Sequence, residues 1–204
     1  MASPDENAPN RPHHESLDDA ADRRDDWARR RRKDIPPDKN LLVIACMDER
    51  IPVEDALGLE LGEAQIYRNA GGKVTDDVIR SAALTTNFFN VTEIIVINHT
   101  DCGMMSAPDE AVLDGFEERV GGSLDDIVLN PALPELNLGD ASLADWVNMT
   151  DDIDEACREQ VALLENHDLI PDNVAISGYV YEVESGELRR PGERIGESTS
   201  VRLS

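Results

Sequence analysis

Two cysteines and one histidine are the residues of this chain best suited to chemistry. Cys46 opens Cys46-Met47-Asp48-Glu49-Arg50, and 53 residues later His99 opens His99-Thr100-Asp101-Cys102. Two thiolates and an imidazole make a three-ligand zinc set, and three protein ligands leave a fourth position for a water or hydroxide that attacks substrate. Asp48 and Arg50 follow the first cysteine by two and four positions. A carboxylate beside a metal-bound water accepts its hydrogen bond and orients it, while an arginine holds that carboxylate ionised. A His-x-x-Cys pair alone more often packs or satisfies local hydrogen bonds, and an Asp/Arg pair alone is an ordinary surface ion pair. Their joint placement is what points to a site. The chain has only three cysteines, two of them here, so a disulfide framework is the weaker explanation.

Strands must deliver these side chains. Leu41-Leu42-Val43-Ile44-Ala45 is a continuous apolar run, the pattern of a parallel strand buried on both faces, and Cys46 sits at its C-terminal end. Ile94-Ile95-Val96-Ile97 is a second such run, ending at His99 and Cys102. Between them the pattern predicts a helix over 53–59, a strand over 64–67, the glycine-bearing loop Arg68-Asn69-Ala70-Gly71-Gly72, and a helix that Thr75-Asp76-Asp77 caps. Val78, Ala82, Thr86 and Phe89 share one face of that helix, and Phe88-Phe89 reads as core. The two ligand-bearing strands end at the same edge of a sheet, where open α/β folds place their sites.

Downstream, residues 109–120 read as an acidic helix followed by an irregular stretch to about 150. A helix over 151–167 carries Ile153, Cys157, Val161 and Leu164 on one face, which makes Cys157 a core residue and not a fourth ligand. His167, at the end of that helix, is expected to interact with its last carbonyls and not to shuttle protons. Val174 to Val183, then Ser185-Gly186 and Leu188, predict a strand and a terminal hairpin. The fold class is therefore α/β, with a mostly parallel central sheet flanked by helices. Residues 40–204 form the catalytic domain. Residues 1–39 precede it as a flexible acidic tail followed by a charged helix over 17–32, with Trp27 as its main apolar anchor and Pro36-Pro37 ending it.

Charge narrows the partners. Asp and Glu number 43 against 19 Lys and Arg, for a net charge of -24, and Lys33, Lys39 and Lys73 are the only lysines. That field repels nucleic acid and anionic membranes, whose recognition needs cations. The same excess suits a protein kept soluble in very high salt, where screening over a few ångströms suppresses self-repulsion; an acidic mesophilic protein with a disordered tail is the alternative. No stretch approaches the ~20 apolar residues of a membrane span, and the N-terminus lacks an apolar signal core. The expected location is the cytoplasm.

Cys46-x-Asp48-x-Arg50, Arg68-Asn69-Ala70-Gly71 and His99-x-x-Cys102-Gly103, in this order, resemble the β-class carbonic anhydrases from about Leu41 to Leu188. The resemblance implies one zinc per chain on Cys46, His99 and Cys102, and Asp48 with Arg50 as the catalytic dyad. It also implies the Arg68–Gly72 loop as a site wall, with Gly71 and Gly72 at the substrate pocket, and a homodimer or multiple of dimers acting on a small molecule. Glu49 departs from the pattern, since many members carry serine or alanine there. Thr75 to Ser81, Leu84 to Phe89 and Gly178 to Val183 resemble a branch that also contains hydrolases of carbon disulfide and carbonyl sulfide. The expected function is reversible hydration of carbon dioxide. The alternatives are hydrolysis of carbon disulfide or carbonyl sulfide on the same scaffold, or a noncatalytic zinc-binding protein in which Asp48 closes the fourth position.

Overall fold

The computed structural model describes residues 39–125, 127–129 and 141–195. The expected tail and charged helix lie outside the described residues, Lys39 excepted. Among the described residues, β1 (Leu41–Cys46), β2 (Ala64–Asn69), β3 (Glu93–His99), β4 (Ala175–Glu182) and β5 (Glu187–Arg189) form one sheet in the order β2-β1-β3-β4-β5. The first four are parallel and β5 returns antiparallel to β4 as the hairpin the sequence predicts.

Every residue of β1 is buried, which is why it reads as an unbroken apolar run. Its side chains alternate between two cores. Leu41, Val43 and Ala45 pack with Ile95, Ile97, Ile51 and Val53 on one face; Leu42 and Ile44 pack with Ile94, Val96, Val78, Ala82 and Leu164 on the other. Helix α1 (Val53–Leu57) covers the first face, and α2 (Asp76–Phe88) with α5 (Ile153–Glu165) cover the second. Each fully buried Ile or Val side chain contributes roughly 1.5–3 kcal/mol, so the central strands are firmly held.

Helix α3 (Asp109–Val120) has the predicted bounds, and α4 (Leu143–Val147) starts at Ser142, whose hydroxyl caps the Asp145 N–H while the Asp145 carboxylate accepts from the Ser142 N–H. Helix α5 begins at Asp152, whose carboxylate accepts from the N–H groups of Asp154 and Glu155. Cys157 is buried as expected, its thiol against the Tyr179 carbonyl at 3.5 Å. A Cβ at Gly178 would lie 2.7 Å from the Cys157 sulfur, so α5 rests directly on β4 at that glycine.

Three local expectations need correction. Phe88 and Phe89 are not core: they are 74% and 39% exposed. Val78 and Ala82 already fill the buried stripe of α2, Phe88 points away from that stripe, and Phe89 has left helical geometry at the C-cap. Thr75 occupies the N-cap position of α2 without a side-chain cap bond. The His167 ring accepts from the Leu169 N–H at 3.2 Å, and it is its backbone N–H that meets the Leu164 carbonyl. No helix among the described residues is long and apolar enough to cross a membrane.

Candidate metal centre

The chain leaves β1 for β2 on one side and later enters β3 on the other, so the carboxyl ends of β1 and β3 flank the point where strand order reverses. Ligands of open α/β sheets gather there because the diverging connections leave a crevice. Cys46 is the last residue of β1 and His99 the last of β3, and a tight turn through Thr100 and Asp101 brings back Cys102. All three side chains are buried, and their ligand atoms lie within 4.8 Å of one another.

The donor set suits zinc. The two sulfurs are 3.9 Å apart, close to the about 3.8 Å expected for two thiolates at tetrahedral zinc with 2.3 Å bonds. His99 Nδ1 donates to the Thr100 carbonyl at 2.9 Å, because a carbonyl can only accept. That tautomer leaves a lone pair on Nε2, which is buried without a hydrogen-bond partner. A buried acceptor left bare is costly unless something binds it. The sulfurs carry the same message. Hydrogen bonding from the Cys102 thiol, followed by the Asp48 and Gly71 backbone, lowers the pKa of Cys46, while the Cys46 thiolate raises that of Cys102. Two thiolates this close need a cation between them before both can ionise.

Asp48 and Arg50 meet beside this cluster. Arg50 Nε donates to Asp48 Oδ1 at 2.9 Å and Nη2 to Oδ2 at 2.8 Å, a bidentate pair, and the Arg50 N–H adds a third bond at 3.0 Å. These bonds hold the Asp48 carboxyl well below the usual carboxylate range. Its Oδ2 is 3.9 Å from His99 Nε2, so the carboxylate borders the space between the three clustered side chains.

Arg68 reaches across from β2 to the backbone of the ligand strand, donating to the Cys46 carbonyl at 2.9 Å and the Asp48 carbonyl at 2.5 Å. Gly71 and Gly72 are buried in a 3₁₀ turn, Ala70–Gly72. The Gly71 carbonyl accepts from Asn98 Nδ2 at 2.6 Å. Gly72 takes φ 62 and lies against Cys46 N and Ile97 O.

Sequence reasoning missed three partners. Asp101 takes the other side of the Arg50 guanidinium, at 2.7 Å through Oδ2 and 2.8 Å through its carbonyl. Thr100 sets the His99 tautomer. Lys73, only 4% exposed, reaches Asn148 Oδ1 at 3.3 Å, and burial lowers its pKa. One acidic residue among 43 carries no signal that it faces an arginine 51 positions earlier.

The carbonic anhydrase family model matches residues 41–188. A carbon disulfide hydrolase of Acidithiobacillus thiooxidans is 51% identical over 177 residues, covering 86% of this chain and 88% of that protein. Beta-carbonic anhydrase 1 of Mycobacterium tuberculosis is 32% identical over 154 residues, covering 76% and 83%. The solved apo form of a carbon disulfide hydrolase superposes with a TM-score of 0.75 at 42% identity, covering 94% of this chain and 98% of that one. A family match spanning most of the chain, and a mostly parallel sheet whose strand ends carry the Cys/His/Cys cluster, lead to one conclusion: this chain is an enzyme of the β-carbonic anhydrase family.

Proposed function

We propose that this chain is a zinc-dependent hydrolase of linear heterocumulenes, acting on carbon disulfide and carbonyl sulfide ahead of carbon dioxide. The observation that carries the order of substrates is the 51% identity, over 86% of the chain, to a carbon disulfide hydrolase, against 32% to a β-carbonic anhydrase. Cys46, His99 and Cys102 would hold one zinc. When bound, zinc supplies the Lewis acidity that brings the pKa of a coordinated water to about 7.

The chain's own residues supply the rest. Asp48 accepts a hydrogen bond from the attacking water and so aims an oxygen lone pair at the substrate carbon. It stays ionised because Arg50 donates to both of its oxygens, and the same two bonds stop the carboxylate from rotating. Thr100 fixes the His99 ring, and Arg68 fixes the backbone on either side of Met47. Gly71 and Gly72 form the wall behind the ligands. Addition of one water across a C=S bond of carbon disulfide gives carbonyl sulfide and hydrogen sulfide; a second addition gives carbon dioxide and another hydrogen sulfide.

Reversible hydration of carbon dioxide is the second reading. It is favoured by the site itself, since the Asp48–Arg50 pair and the ligand set ask only for an electrophilic carbon between two heteroatoms. Initial rates of the zinc-loaded protein with carbon disulfide, carbonyl sulfide and carbon dioxide, measured side by side in molar salt, test the order. Higher kcat/KM for either sulfur substrate is expected. Turnover of carbon dioxide alone would replace the first reading by the second, and no turnover at all would leave a noncatalytic zinc-binding protein.

A further inference from the structure

We infer that Asp101 is a positioning residue for the reaction proposed above, acting by clamping Arg50 in the orientation that holds Asp48. The inference rests on that functional reading, but its structural basis stands apart from it. Arg50 and Asp48 are two residues apart, and the Arg50 side chain is 42% exposed. A local, half-exposed ion pair of this kind exchanges readily with water and is worth little by itself. Here the guanidinium is gripped from its other side as well: Nη1 donates to Asp101 Oδ2 at 2.7 Å, and Nη2, already on Asp48 Oδ2, also donates to the Asp101 carbonyl at 2.8 Å.

The backbone of Asp101 makes this double contact possible. Its φ of 52 is left-handed, a conformation that costs most residues roughly 1–2 kcal/mol and that aspartate tolerates better than most. In that conformation both the carbonyl and the carboxylate of one residue meet one guanidinium. The effect is to join the two halves of the ligand set. Arg50 belongs to the segment after Cys46, Asp101 immediately precedes Cys102, and the clamp closes across 51 positions of sequence. A planar guanidinium with four of its bonds directed at two carboxylate groups and a carbonyl cannot turn without breaking them together. Removing Asp101 leaves the Asp48–Arg50 pair in place but free to open, and a carboxylate that wanders no longer aims the attacking water.

Asp101→Gly and Asp101→Asn separate side chain from backbone. Glycine keeps the left-handed turn without strain and the carbonyl contact, but deletes the carboxylate; asparagine keeps the turn and one neutral acceptor. Zinc-loaded Asp101→Gly is expected to retain one zinc per chain and to lose about tenfold in kcat, the range typical of residues that orient a metal site from outside, with KM little changed. Asp101→Asn should recover part of the loss. The second readout is nuclear magnetic resonance of protein labelled with 15N-arginine, with Arg50 assigned by the signals missing in Arg50→Lys. Restricted rotation should give resolved Arg50 Nη protons in the wild type that merge in Asp101→Gly. Unchanged Arg50 signals, unchanged kcat despite freed signals, or loss of zinc in Asp101→Gly would each overturn the inference. Inactivity of the wild type on all three substrates would overturn the functional reading and not the clamp, which the Arg50 signals decide alone.

Discussion

Gly72→Ala should be among the most damaging single-methyl additions near the metal centre. A Cβ at Gly72 would stand 2.9 Å from Cys46 N, 3.0 Å from the Ala45 carbonyl carbon and 3.0 Å from Ile97 O. All three are backbone atoms of β1 and β3, the buried central strands, so no side chain can swing aside. Inserting bulk into such a contact costs about 1–3 kcal/mol, and the φ of 62 adds about 1–2 kcal/mol for a left-handed alanine. Gly58→Ala is the control, because Gly58 has φ 65 and nothing within 4 Å of a Cβ. It should show the conformational cost alone. Guanidinium unfolding of the zinc-free protein, at one salt and one protein concentration, should therefore place Gly72→Ala about 1–3 kcal/mol below Gly58→Ala. Because Cys46 N is among the displaced atoms, zinc affinity should fall in Gly72→Ala and not in Gly58→Ala. Equal destabilisation of the two variants would refute the claim that the strand backbones crowd Gly72.

Metal analysis of the purified chain should find one zinc, lost in Cys46→Ala and His99→Ala and kept in Cys157→Ala; the reverse pattern would exchange the roles assigned to ligand and core cysteines. Asp48→Ala should keep zinc while kcat falls by about a hundredfold, and near wild-type rates would reduce Asp48 and Arg50 to a surface pair. Zinc binding should release protons, because the Cys46 thiolate raises the pKa of Cys102 and that thiol must ionise before it can ligate. Calorimetry in buffers of different ionisation enthalpy measures the protons released, and the sign follows: apparent zinc affinity weakens as the pH falls, and an affinity independent of pH would contradict it. A homo-oligomer that loosens in dilute salt is expected from the net charge of -24, since joining like-charged subunits needs screening. Sedimentation from dilute to molar salt tests it, and a fully active monomer throughout would contradict it.

The strands were legible because parallel strands covered on both faces must be apolar at every position, and Leu41 to Ala45 and Ile94 to Ile97 satisfy that without a break. The clustering of Cys46, His99 and Cys102 was legible because thiol and imidazole at two strand ends have few other uses together, and the burial of Cys157 because its neighbours recur with the helical period. Phe88 and Phe89 defeated the same reasoning: hydrophobicity names a candidate for the core, but only packing says whether Val78 and Ala82 have already taken the place. What the tertiary structure alone decided is how the site is held. Asp101 on Arg50, Arg68 on the Cys46 and Asp48 carbonyls, and Gly72 against two strand backbones join positions that are tens of residues apart or depend on a backbone angle. A hydrogen bond carries no trace in residue order when its donor and acceptor are brought together only by the sheet, whereas the chemistry of a side chain is written in its own residue type.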